Sequence, residues 1–189
     1  MTLTANLQTT REVLGWPTIA VYAAAVAASL PIWPFGWHLA VHVLGAVMLV
    51  GNALVMAVWL TLVGFAGSDQ AKRQAARSVN LGDAWFTVPG VVLLVLNGLA
   101  MVAARYGGVM ALASTGWITI GLILLGVSGL IWALRLLPAQ LALYRLAQAS
   151  GPLDAAVFRA ILNRWFVWGV IATALPLLAV FVMTTKLAF

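Results

Sequence analysis

Two histidines, His38 and His42, are the residues of this chain best suited to chemistry. Four residues apart on a helix, they share one face, one turn from each other. A neutral imidazole at such a position can hold haem iron or a transition metal such as copper. Continued along the same face, the stripe reads Gly45, Leu49, Asn52, Met56 and Trp59. His42 is the sharper candidate ligand, one to two turns inside the apolar run. A histidine there can equally be tied to a backbone carbonyl. His38 lies nearer the end of the run, where solvation at the membrane interface is the expectation. Lys186 falls toward the same side in the topology below, as a partner for a haem propionate, a quinone head or a lipid phosphate. Met183, one turn earlier, brings a His/His/Met copper set within reach of the sequence.

The element that carries the histidines is Gly36 to Phe65, thirty residues without a charge. A bilayer-spanning helix needs about 20 apolar residues, so this run crosses with some tilt. Polar groups in lipid are costly and turn toward protein or ligand. The stripe is therefore expected to face neighbouring helices. The whole chain agrees: of 189 residues 64% are hydrophobic and 7% charged, against about 25% charged in soluble domains. The fold class is all-α, a polytopic membrane helical bundle.

Five spans are expected. The first is Val13 to Leu30, after a polar tail (residues 1–12). With Arg11 before it and small residues near Ala27–Ser29 it also has the look of a signal peptide. Its pairs Ala24/Ala28 and Ala25/Ser29 suit close helix contact. Pro31-Ile-Trp-Pro-Phe-Gly-Trp37 reads as an aromatic turn at headgroup level. The histidine helix is second. A basic loop over 66–82, with at most a short surface helix, leads to a third span at about Asp83–Arg105, in which neighbours must satisfy the carbonyl that Pro89 frees. A fourth runs from about Gly116 to Leu137, with Gly116, Gly121, Gly126 and Gly129 as packing points and a kink at Pro138. The fifth is about Trp165 to Thr185.

Charge orients the bundle. With the N-terminus inside, Arg11, Lys72, Arg73, Arg77, Arg135, Arg145, Arg159 and Arg164 fall on one side, and Arg105 and Lys186 on the other. The positive-inside rule then predicts a cytoplasmic N-terminus and a periplasmic C-terminus in a bacterial inner membrane. The net charge of +6 is thereby explained without nucleic acid. No cysteine is present, which removes disulfides, iron–sulfur clusters, thiol catalysis and covalent c-type haem.

Other polar groups read as structural. Asn52 and Asn97 fall near mid-span and are expected to pair with each other. Asp83 is placed as the N-cap of the third span, with Arg135 as a second partner. No carboxylate is expected at mid-membrane, which argues against a proton-coupled pump.

Three blocks then carry a resemblance: His42-Val-Leu-Gly-Ala-Val-Met-Leu-Val-Gly51; Asp83-Ala-Trp-Phe-Thr-Val-Pro-Gly90 with Asn97-Gly98; and Arg164-Trp-Phe-Val-Trp-Gly169 with Met183-Thr-Thr-Lys186. Together they resemble the bacterial family of predicted integral membrane proteins known as domain of unknown function 2269, a four-span bundle. The likeness covers residues 36–189 of a single membrane domain and leaves 1–35 as an added span and turn. More distantly the chain is similar to HemJ-type protoporphyrinogen oxidases and the CopD copper-resistance domain. The first likeness implies haem b at His42. The HemJ-type enzymes also carry a lysine in the helix matching Trp117–Leu122, where Gly121 stands here. The expected function is an integral membrane protein binding haem b, or copper as the lesser choice, near the outer face, with His38 and Lys186 beside it and a redox or haem-associated role. The reading from another class is a non-catalytic accessory subunit of a larger membrane complex. No catalytic residues are assigned.

Overall fold

The computed structural model describes residues 16–112 and 115–186. The polar tail and the start of the first expected span lie outside them. Among the described residues five α-helices follow one another: α1 (Trp16–Ala28), α2 (Phe35–Ala66), α3 (Asp69–Tyr106), α4 (Gly116–Gln148) and α5 (Ala155–Thr185). The last four are long and apolar enough to cross a membrane. Helix α1 has 13 described residues, about 20 Å at 1.5 Å per residue, short of the roughly 30 Å hydrocarbon core.

The stretch 66–82, expected as a basic loop or a short surface helix, is helical from Asp69 onward. Residues Asp69–Gly82 are the beginning of α3 and run without a break through a π-helical turn, Asp83–Thr87, into Val88–Tyr106. Asp83 is therefore inside a helix and not its N-cap. The run DQAKRQAARSVNLG is polar but rich in helix formers, and nothing in it stops a helix. Helix α4 repeats the device: a π turn at Trp132–Leu136 precedes Pro138, as the turn at Asp83–Thr87 precedes Pro89. Proline lacks an N–H and its ring crowds the carbonyl of the preceding turn. A widened turn just before it relieves that crowding while the helix continues.

By packing the chain divides into two compact units. The first comprises residues up to Asn52 together with Leu81–Val109; the second comprises Ala53–Asn80 and Met110 onward. In the first unit α1 packs on α3, with Ala25, Val41 and Leu93 as a small core. Ala25 and Ser29 turn inward as expected, whereas Ala24 is exposed. The indoles of Trp33 and Trp37 donate to Ala27 O and Ala28 O, at 3.0 and 2.8 Å. The aromatic turn thus caps the C-terminal carbonyls of α1.

In the second unit the first half of α4 packs along α5. Leu60, Val79, Leu143, Phe158, Leu162 and Trp165 lie in its core. Pro176 leaves the Ala172 carbonyl of α5 without its helical donor, and the Ser128 hydroxyl donates to that oxygen at 2.7 Å. Arg73 caps the end of α4: its guanidinium donates to Leu146 O, Ala147 O, Ala149 O and Gly151 O, at 2.6–3.1 Å. Asp154 caps α5 by accepting from the Ala156 and Val157 amides. Of the four glycines expected as packing points in α4, Gly121 alone is one. Gly116, Gly126 and Gly129 have open space where a side chain would be.

Candidate functional site

The facing stretches of α2 and α3 in the first unit run antiparallel and in register. His38 meets Asn97, His42 meets Leu94, Gly45 meets Gly90, and Asn52 meets Asp83. The histidine stripe therefore faces a helix, as its polarity requires. It drifts off that line lower down: Trp59 is 44% exposed, and Leu60 beside it is the buried residue, in the second unit. A repeat of 3.6 residues counted from His38 reaches 60, not 59.

The close approach is made by glycine. A Cβ on Gly45 would sit 2.6 Å from Gly90 O and 2.6 Å from Leu94 N. No other residue lets the two backbones meet so closely. One turn away, Gly98 makes room for an imidazole: a Cβ there would lie 3.1 Å from both Cε1 and Nδ1 of His42. The ring fills this space, and its Nδ1 is 2.6 Å from Leu94 O. A carbonyl oxygen can only accept, so Nδ1 carries the proton and Nε2 keeps its lone pair.

The same logic fixes His38 through a longer chain. Asn97, fully buried, donates from Nδ2 to Leu93 O at 2.8 Å and to Ser29 Oγ at 2.7 Å. The atom facing a carbonyl must be the amide nitrogen, which leaves Oδ1 toward His38 Nδ1, 2.7 Å away. His38 is then the donor, again through Nδ1. Ser29 completes the series by donating to Ala25 O at 2.8 Å. His38 is only 3% exposed. The expectation of interfacial solvation fails for it, because Asn97 and Ser29 offer a buried partner that the linear sequence does not display.

The expected Asn52–Asn97 pair does not form. Asn52 instead donates to Thr87 Oγ1 at 2.9 Å and to Asp83 Oδ1 at 3.2 Å, and Thr87 donates to the same carboxylate oxygen at 2.8 Å. The antiparallel register, unknown from sequence, sets the two asparagines against different partners. Beside this group, Tyr22 of α1 donates to Ala84 O at 2.9 Å. Val88 N–H bonds Asp83 O in the π pattern, so the next donor in the series would be the N–H that Pro89 lacks. Tyr22 supplies it. The neighbour anticipated for the Pro89 helix is thus an aromatic hydroxyl, identifiable in retrospect as the one tyrosine of the first span.

The remaining candidates belong to the second unit. Lys186 is exposed, ends α5 in the left-handed conformation (φ 51°) and donates its amide to Val182 O. Met183 covers Gly121, whose missing side chain leaves the thioether its space. A lysine at 121 would collide with that methionine. Arg135 stacks over the Trp168 ring, 5.1 Å from its centroid. Among the described residues no three His, Cys, Asp or Glu side chains come together as a metal-ligand group.

A family model described as a predicted integral membrane protein, DUF2269, matches residues 38–187 of the chain. No curated protein and no solved structure matches it.

Proposed function

The chain belongs to that DUF2269 family of integral membrane proteins, and from this premise we propose that it holds haem b through Nε2 of His42, in a redox or haem-associated role. The observation that carries the reading is the fixed tautomer. An imidazole whose Nδ1–H is tied to a backbone carbonyl presents a basic, oriented Nε2, the arrangement in which metal-bound histidines occur. His42 is partly exposed while His38 is buried, so His42 is the reachable one.

Of the residues present, one imidazole, that of His42, would hold the iron. Side chains one helical turn apart lie about 5–6 Å from each other on one face, so His38 and His42 cannot take opposite faces of one macrocycle. His38 then acts as a packed neighbour held by Asn97. The apolar residues flanking His42 on α2, Leu39, Val43 and Val47, are exposed and suit a porphyrin edge. Bound there, haem would supply one-electron or small-ligand chemistry. A metal ion held by the pair alone would have two protein ligands, a poorer set for copper. With the basic end inside, His42 stands toward the outer face of a bacterial inner membrane.

The test is a titration of the purified protein with haem, followed by absorption spectroscopy. A saturable Soret band that is lost in His42→Ala and kept in His38→Ala supports the assignment. Equal spectra for the wild type and His42→Ala, with both variants folded by circular dichroism, would remove it.

A further inference from the structure

The cations of the second unit are distributed in a way that the histidine site does not use. The α2–α3 connection and the α4–α5 connection lie together at one end of this unit. Arg73 reaches the carbonyls of residues 146–151, Arg77 reaches Ala147 O, and Asp69 Oδ2 accepts from Leu153 N. Arg159, at the start of α5, lies over the Phe65 ring at the end of α2, 5.4 Å from its centroid. Lys72 and Arg145 belong to the same end, each beside a residue of the Arg73 contact.

The two carboxylates at this end do not neutralise these charges. Asp69 accepts from the Leu153 backbone, and Asp154 from the amides of Ala156 and Val157. The arginine contacts formed here go to carbonyl oxygens or to an aromatic ring. Lys72, Arg77, Arg145 and Arg159 thus form a basic end without carboxylate partners among the described residues, bordered by exposed Phe65 and Leu62. Cations over an apolar border match the two parts of an anionic lipid, phosphate above and chain below.

We propose that this end of the second unit is a binding site for anionic phospholipid, with Lys72, Arg77, Arg145 and Arg159 taking the headgroup phosphate. Arg73 is the positioning residue: its bonds to the end of α4 hold the two connections together. The proposal is independent of haem. The ligand is a lipid and not free phosphate, because the aromatic and aliphatic border would be idle toward an inorganic anion.

The test uses the full chain in nanodiscs of phosphatidylcholine with about one fifth phosphatidylglycerol. Native mass spectrometry reads the retained lipids. Phosphatidylglycerol should be enriched over its bulk share. Each charge removed, in Lys72→Gln and in Arg145→Gln, should lower the retained ratio of phosphatidylglycerol to phosphatidylcholine about fivefold, the equivalent of roughly 1 kcal/mol per cation near a charged surface. Neither side chain makes a hydrogen bond or ion pair among the described residues, so both variants should keep the wild-type melting temperature in nanodiscs of phosphatidylcholine alone. In a parallel arm, inorganic phosphate added to phosphatidylcholine nanodiscs should leave the melting temperature unchanged. Retention of lipids in their bulk ratio overturns the proposal. So does enrichment that survives both substitutions, or stabilisation by inorganic phosphate equal to that by phosphatidylglycerol.

Discussion

The two compact units are built from the same material and held by different forces. Both pass a long helix through a π turn into a proline, at Pro89 in the first and Pro138 in the second. In the first unit the helix contacts carry polar groups: His38 on Asn97, His42 on Leu94 O, Asn52 on Asp83, and Tyr22 on Ala84 O. In the second an apolar cluster around Leu60, Phe158 and Leu162 fills the interior. There Ser128 serves the carbonyl freed by Pro176, and Arg73 ties the end of α4. Lipid is as apolar as leucine, so dispersion drives most of the second packing. Dispersion positions a helix but fixes no proton. Hydrogen bonds in the first unit do both, which is why the groups able to bind a ligand in a defined tautomer are found there.

Glycine sharpens this contrast most. Gly45→Leu should cost about 3 kcal/mol, since the new side chain meets Gly90 O and the Leu94 amide rather than a movable neighbour. Unfolding in mixed detergent micelles would measure it, and wild-type stability in this variant would break the contrast. Next comes Asn97→Leu, expected to lose about 2 kcal/mol because His38 Nδ1 and Ser29 Oγ are left buried with a partner missing. Infrared or NMR signals of His42 should stay unchanged in it. Ser128→Ala, in the other unit, exposes the weaker dependence: a loss of about 0.6 kcal/mol, the average for a hydrogen bond between membrane helices. A loss as large as that of Asn97→Leu would erase the difference between the units. Last, Gly126→Ala should raise stability by about 0.5–1 kcal/mol. Its position is open, and alanine is the better helix former. A loss of stability would show that the site is packed after all.

The membrane bundle was legible because lipid imposes long apolar runs, and Phe35–Ala66 is one. The inward turn of His42 was legible for a related reason, as a polar group in lipid must find protein. The partners were not. Whether His38 meets Asn97 or water depends on the register of two helices, and the glycines that set it, Gly45 and Gly90, look no different in sequence from Gly126 and Gly129. Asp69–Gly82 reads as a loop because its polarity is high, yet polarity decides only its exposure, not its backbone. Arg73 counts toward orientation like any basic residue. Its capping role depends on four carbonyls some seventy residues away.

The most direct measurement is the protonation of the two imidazoles, read by nitrogen NMR on protein labelled with 15N in histidine alone, free of ligand and at neutral pH. Both rings should carry their proton on Nδ1, with Nε2 bare, and Asn97→Leu should release His38 from that state without touching His42. A proton on Nε2 of His42 would contradict the account, because the nitrogen assigned to the ligand would then have no lone pair to give.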